Sequence, residues 1–209
     1  MRTKVLVFKR SLNHPADFFD NTGQIGQPGE NLLIFVCILL TMENNEKGNY
    51  AEIKFKNWLD KHNIPYWYIN QNIETFSESL KKFFGSKRPD FLILLPNLGF
   101  ILVDVKYKKI YPKFQTLVFD CEETTKHSNL QRNFGMQVWY AVSNQDCDFQ
   151  TWYWTAVSKI LEVGKRKKFT SSKSNQDFFS IPIKNFIQIA DSDSLDRLFS
   201  NLFISNFIS

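Results

Sequence analysis

Cysteine and histidine are scarce in this 209-residue sequence, with three of each, all widely separated. No two cysteines have the close spacing of a zinc knuckle or ribbon, and three thiols do not make a complete disulfide framework. A metal site built from thiolates or imidazoles is therefore not supported. A chain without disulfides fits a reducing compartment, and we predict that the protein is cytoplasmic.

Apolar runs long enough to cross a membrane are also missing. The run LLIFVCILL, residues 32–40, is far shorter than the roughly 20 residues that a spanning helix needs. It lacks the basic start and cleavage site of a secretion signal. We interpret it as a buried strand or a short core helix, and we predict no membrane association.

The overall composition is that of an ordinary globular protein, with 43% hydrophobic and 22% charged residues. The excess of 26 basic over 21 acidic side chains favours an anionic partner. Residues 21–31 are a predicted polar loop, and Met42 opens a polar lead into an amphipathic helix, so we predict an N-terminal extension over 1–41 and a domain over 42–209. The alternative is that residues 32–40 pack onto the domain as an additional element.

Hydrophobic spacing predicts a mixed sheet flanked by helices, an α/β fold. Turn residues 96–99 separate two strong strands and are typical of a hairpin. The predicted helices span residues 48–62, 77–84, 126–143 and 192–202, and the predicted strands lie within 64–70, 90–95, 100–106, 149–157 and 178–190.

The segment FILVDVK, residues 100–106, carries a carboxylate and an ammonium at the end of an apolar strand. Strand side chains alternate between faces, so Asp104 and Lys106 share one side, roughly 7 Å apart along the strand. Charged side chains are seldom deeply buried unless they are paired or bind a metal. If the strand is central, the burial of this pair therefore needs an explanation, such as a metal or an active site.

Two further acids are expected beside the pair. Asp90 precedes the neighbouring strand, and a hairpin would bring it to the same end of the sheet as Asp104. A divalent cation relieves the repulsion between such carboxylates, and oxygen ligands suit magnesium or manganese. Glu52 lies at the edge of the apolar stripe of its helix, and Gly48, one turn earlier, would allow another backbone to approach closely.

These acids belong to three motifs in sequence order: Gly48-xxx-Glu52, Arg88-Pro89-Asp90-Phe91 and Val103-Asp104-Val105-Lys106. Together the motifs resemble the PD-(D/E)XK nuclease superfamily, which includes restriction-endonuclease-like and Holliday-junction-resolvase-like proteins. The resemblance covers about residues 48–157. It implies an αβββαβ core with a mixed central sheet, which matches the predicted order.

The resemblance also implies a reaction and a role for each residue. Asp90, Asp104 and the backbone carbonyl of Val105 would hold Mg²⁺ or Mn²⁺, with Glu52 supporting the metal or its water. Lys106 would orient the attacking water and stabilise charge on the phosphate. The implied reaction is hydrolysis of phosphodiester bonds, in DNA rather than RNA, by metal-activated water. Many nucleases of this kind form a homodimer to cut two strands.

The sequence also offers secondary candidates for the site. Gln137 shares the apolar face of the helix predicted over 126–143, and some nuclease branches carry a Gln there, four residues before a Tyr. Here Tyr140 follows by three. Basic side chains that could bind phosphates form two clusters, the second in a predicted loop. They are Lys108 and Lys109, and Lys165, Arg166, Lys167 and Lys168.

Each candidate also has a structural interpretation. Asp104 and Lys106 could form a surface ion pair, Glu52 could be an ordinary helix residue, and Asp90 could start a turn. Gln137 could be a core amide, and the second basic cluster could be a solvated loop. For the whole chain, the alternative function is an inactive nuclease-fold module that binds nucleic acid or a protein.

Overall fold

The computed structural model describes residues 44–71, 77–79, 88–95, 99–110, 113–170 and 175–198. Within them lie three α-helices and nine strands. The helices are α1 (Asn44–Lys61), α2 (Cys121–Phe134) and α3 (Val157–Val163). The strands are β1 (Tyr66–Tyr68), β2 (Phe91–Leu95), β3 (Gly99–Tyr107), β4 (Thr116–Asp120), β5 (Val138–Ser143), β6 (Thr151–Ala156), β7 (Lys165–Thr170), β8 (Asn175–Pro182) and β9 (Ile187–Ala190).

The predicted mixed sheet is confirmed. Six strands form it in the order β1-β2-β3-β5-β6-β9. Strands β3 and β5 are parallel, whereas the other neighbouring pairs are antiparallel. The order α1, β1, β2, β3, α2, β5 is the predicted αβββαβ core, with β4 inserted before α2.

Helix α1 covers one face of this sheet because its apolar residues recur at steps of three and four. Phe55 lies against Trp152 and Phe91, with ring centroids 4.7 and 5.2 Å away. The expected role of Gly48 in close packing is wrong for the described residues, since a Cβ built there would meet no atom within 4 Å.

The other face of the sheet packs against α2, α3 and a second sheet. Leu130 of α2 and Ile160 of α3 are buried there with Leu102 of β3. The alternation predicted for β3 is confirmed, because Val103 and Val105 belong to the α1 side of the core. Asp104 and Lys106 therefore face α2.

The helix predicted over 126–143 is wrong in its second half. Gly135 adopts a left-handed conformation, φ 64°, and ends α2 at Phe134. The six residues of β5 are all buried, since the strand is central and covered on both faces. The apolar spacing of Val138 and Ala141 comes from this burial on both faces and not from a helix.

The second basic cluster is a strand, and the predicted loop is wrong. Residues 165–168 open β7, which pairs antiparallel with β8, and β8 pairs antiparallel with β4. These three strands form a second sheet in the order β4-β8-β7. The predicted strand over 178–190 is two strands, β8 and β9, on different sheets.

Several predictions fall beyond the described residues. They are the N-terminal extension over 1–41, the hairpin turn at 96–98 and most of the helix predicted over 77–84. The helix predicted over 192–202 is described as far as residue 198, and its predicted start is wrong. Residues 192–196 form turns and irregular backbone, because the Asp193 side chain accepts a hydrogen bond from the Ala190 N–H, and only 197–198 are helical. In the part of the chain that the structure describes, no helix is both long and apolar enough to span a membrane.

Candidate active site

Asp90 and Asp104 come together through the pairing of β2 with β3. Phe91 lies opposite Val103, so the next pair outward sets Asp90 opposite Asp104. Both side chains are buried, at 5% and 0% exposure. The Asp90 Oδ2 accepts a hydrogen bond of 2.7 Å from the backbone N–H of Val105. This bond fixes the Asp90 carboxylate against β3.

Lys106 connects β3 to helix α2. Its Nζ lies 2.5 Å from Asp104 Oδ2 and 2.8 Å from Glu123 Oε1. Burial alone would lower the pKa of Lys106, but the two carboxylates outweigh it and raise that pKa above its usual range. The side chain is therefore a charged ammonium held between two acids.

Glu123 reaches Lys106 because of where α2 begins. Asp120 precedes the helix and its side chain accepts a hydrogen bond from the backbone N–H of Glu123, 2.8 Å away. This N-cap places Glu123 in the first helical turn, directly over the end of β3. Glu123 was not predicted as a site residue.

Asp90 is a buried carboxylate that lies close to other acids. Burial raises the pKa of Asp90 well above its usual value, and the charges of Asp104 and Glu52 raise it further. The Val105 N–H and Lys106 act in the opposite direction. Carboxylates that repel each other in a buried position are stabilised by a divalent cation.

Glu52 approaches this group from α1. It is half-buried, and its Oε2 accepts a hydrogen bond of 2.7 Å from the Tyr68 hydroxyl. Burial and then Glu52 raise the pKa of Tyr68, so the hydroxyl stays a donor. The charge of Glu52 also raises the pKa of Asp90, so the predicted third acid acts on that carboxylate.

A buried polar pair behind Asp104 was also missed. His127 Nε2 lies 3.7 Å from Asp104 Oδ1, and its Nδ1 is 3.0 Å from the Tyr140 hydroxyl. Burial, and next Asp104, raise the pKa of Tyr140. The sequence did carry a signal, because Glu123, His127 and Leu130 follow at steps of four and three on one helix face.

Gln137 has a different position from the one predicted. It is exposed, lies before β5 and beyond the end of α2, and its Oε1 accepts a hydrogen bond of 3.1 Å from Trp139 Nε1. Trp139 belongs to the α1 side of the core, whereas Asp104 lies on the other face of the sheet. The helical placement on which the role of Gln137 depended is wrong.

The predicted phosphate-binding residues differ in exposure. Lys108 is half-buried, with Nζ 5.4 Å from the Phe119 ring centroid, whereas Lys109 is exposed. Burial, and then repulsion from Lys106, lower the pKa of Lys108. The second cluster is exposed along β7, and Arg166 forms an ion pair of 2.5 Å with Asp177.

The donor set can be compared with the needs of a metal. Among the described residues, no three His, Cys, Asp or Glu side chains form a group that could hold an ion. Magnesium often uses only one or two carboxylates and keeps several waters. The buried pair Asp90 and Asp104, with the peptide of Val105 beside it, fits that demand.

No protein-family model matches the sequence, and no curated protein matches it. Among solved structures, the chain is similar to the Holliday junction resolvase Hjc of Archaeoglobus fulgidus, an archaeal hyperthermophile. The identity is 14% and the TM-score 0.44, over 74% of this chain and 96% of that one. A nuclease from a fusselovirus is similar at 13% identity and a TM-score of 0.40, over 86% of this chain and 94% of that one.

Proposed function

We propose that the chain is a metal-dependent nuclease that hydrolyses phosphodiester bonds of DNA rather than RNA. One observation carries the proposal. Asp90 and Asp104 face each other in buried positions at one end of the central sheet, with the ammonium of Lys106 in contact with Asp104. Burying two carboxylates beside each other costs stability, and buried acids of this kind are found mainly at functional sites.

Each side chain has a role that its contacts support. Asp90 and Asp104, with the carbonyl of Val105, would hold Mg²⁺ or Mn²⁺, and Glu52 would bind a water of that ion. When bound, the ion lowers the pKa of water and offsets charge on the phosphate. Lys106 would donate a hydrogen bond to a phosphate oxygen, because its position between two acids keeps it protonated.

The proposal is tested by incubating the full chain with linear, circular, single-stranded and branched DNA, and with RNA. Each substrate is used with MgCl₂, with MnCl₂ and with EDTA. We expect cleavage of DNA that EDTA abolishes and that Asp104→Asn removes. The matched control Glu162→Gln changes an exposed acid on α3 and should cleave like the unaltered protein.

Cleavage in EDTA, or equal cleavage by Asp104→Asn purified in the same way, would end the assignment. Circular dichroism at the assay temperature shows that each variant is folded. A preference for RNA under matched conditions would leave the metal site intact and reverse the substrate assignment.

A second candidate is an inactive module with the same fold. It is favoured by the contact of Lys106 with Asp104, which already neutralises one proposed ligand. Calorimetric titration with MnCl₂ separates the two, because a module without turnover should show no ion binding that depends on Asp90 and Asp104. For the nuclease, we expect Mn²⁺ binding that Asp104→Asn abolishes.

A further inference from the structure

The outer face of the second sheet forms an open cleft of about 720 Å³. Alternate residues of β4, β8 and β7 line it, because side chains on one face of a sheet recur every second residue. Val118, Ser180 and Lys165 form one cross-strand row, and Asp120, Phe178 and Lys167 form the next. Lys108 and Phe114 complete the rim.

Strand alternation divides the basic cluster of β7 between two faces. Lys165 and Lys167 line the cleft, whereas Arg166 lies on the opposite face in its ion pair with Asp177. With Lys108, the cleft holds three lysines. The carboxylate that lines it, Asp120, accepts hydrogen bonds from the Gln176 amide and the Glu123 N–H. The cleft therefore favours an anion.

Two aromatic rings accompany the lysines. Phe114 is 66% exposed in the turn before β4, and Phe178 is half-buried at the centre of the sheet face. Exposed rings among ammonium groups fit a ligand that has both flat apolar groups and negative charges. An unpaired nucleic-acid strand has this chemistry, since every base offers a face for stacking.

The cleft continues toward the carboxylates through Lys108. This residue follows β3 by one position and lines the cleft, where its Nζ lies 5.4 Å from the Phe119 ring centroid. Lys106, two residues earlier in the chain, contacts Asp104. A phosphate bound at Lys108 would thus lie between the cleft and the candidate active site.

We propose that this cleft binds a single-stranded segment of DNA and directs it to the carboxylates. The direction of the strand rests on the proposed nuclease function, whereas the binding itself does not. A blunt duplex hides the faces of its bases, so it could contact the lysines but could not stack on Phe114 or Phe178. The substrate would therefore carry an unpaired segment beside the cleaved bond.

Binding is measured with the full chain in EDTA, by fluorescence anisotropy of labelled 15-nucleotide oligothymidylate and of a blunt 15-base-pair duplex. We expect the single strand to bind more tightly. Phe114→Ala should weaken its binding roughly fivefold or more, which is the range for loss of one stacked base. Phe114 is exposed in a turn, so this variant keeps the core intact.

The lysines are tested with two matched double variants of β7. Lys165→Gln with Lys167→Gln removes two charges from the cleft, and Arg166→Gln with Lys168→Gln removes two from the same strand outside its lining. The first pair should reduce the slope of log affinity against log salt by about 1.4, since each phosphate contact on a single strand contributes about 0.7. The second pair should leave the slope near that of the unaltered chain.

Three results would each overturn the cleft proposal. They are equal or tighter binding of the duplex, unchanged oligothymidylate affinity in Phe114→Ala, and equal reductions of the salt slope in the two double variants. EDTA keeps this outcome separate from catalysis. A chain that binds oligothymidylate as expected and never cleaves DNA would contradict the nuclease proposal while supporting the cleft.

Discussion

Lys106→Met should destabilise the metal-free protein by an amount that its burial determines. The side chain is 14% exposed and its ammonium contacts Asp104, which is fully buried, and Glu123. Removing one partner of a buried ion pair costs about 3–5 kcal/mol, because the remaining charge cannot regain its water. Glu123 is partly exposed and can be solvated, so we expect the lower end, about 3 kcal/mol.

The matched control is Lys126→Met on helix α2. Lys126 pairs with Glu122 at a distance of 2.7 Å, but both side chains are exposed to solvent. Exposed pairs of this spacing contribute about 0.3–0.5 kcal/mol. Both variants replace a lysine by methionine, so the difference between them isolates the effect of burial.

Urea denaturation at pH 7 in EDTA measures both free energies of unfolding. For a protein of this size, a loss of 3 kcal/mol lowers the Tm by roughly 6–12 °C. If Lys106→Met and Lys126→Met agree within about 0.5 kcal/mol, the ammonium does not stabilise a buried carboxylate, and the site as described here is wrong. Added MgCl₂ should restore part of the loss, because a cation at Asp90 and Asp104 replaces the missing charge.

Three further predictions follow from the site and the fold. Saturating MgCl₂, at about 100 times its Kd, should add roughly 2.7 kcal/mol and raise the Tm by roughly 5–11 °C; an equal shift in Asp104→Asn would contradict the proposed ligands. Asp90→Asn should flatten the fall of metal-free stability with pH in urea titrations. Burial, Asp104 and Glu52 raise the Asp90 pKa above its ordinary value of 3.8, so the folded chain holds this proton more tightly than the unfolded chain does. The contribution of this proton to the free energy of unfolding is therefore complete below pH 3.8 and is lost as the pH rises through the raised pKa. Gly135→Ala should lower the free energy of unfolding by roughly 1–2 kcal/mol, because the φ of Gly135 is positive. Gly48→Ala in α1 should raise it by roughly 0.5–1 kcal/mol in the same urea assay. Similar effects of the two substitutions would refute the role of Gly135 in ending α2.

The core of the site could be predicted because strand geometry is local. In β3, a period of two places Asp104 and Lys106 on one face whatever the strand packs against. The hairpin with β2 adds Asp90, since a short connection brings the strand ends together. Local rules of this kind need only the residues between positions 90 and 106.

Local rules failed where tertiary burial produces the same pattern as a helix. Strand β5 is central, so all six of its side chains are buried, and Val138 with Ala141 imitates helical spacing. Gly135 was the available signal, because glycine commonly ends helices in a left-handed conformation. Strand β7 was missed for a different reason, because its four successive basic residues show no alternation of apolar and polar side chains.

The parts of the site that no local pattern contains are joined by one chain of contacts. The Gln176 amide donates to Asp120, the Glu123 N–H donates to the same carboxylate, and the Glu123 side chain accepts from Lys106. These contacts link β8, the start of α2 and the end of β3, over separations of up to 56 residues. The cleft at β8 and the ammonium beside Asp104 therefore share a single helix N-terminus. Asp120→Ala should lower cleavage, because Glu123 loses its N-cap, and should strengthen oligothymidylate binding, because a negative charge leaves the lining of the cleft. Unchanged cleavage by a variant that binds oligothymidylate more tightly would show that the cap does not position the carboxylates.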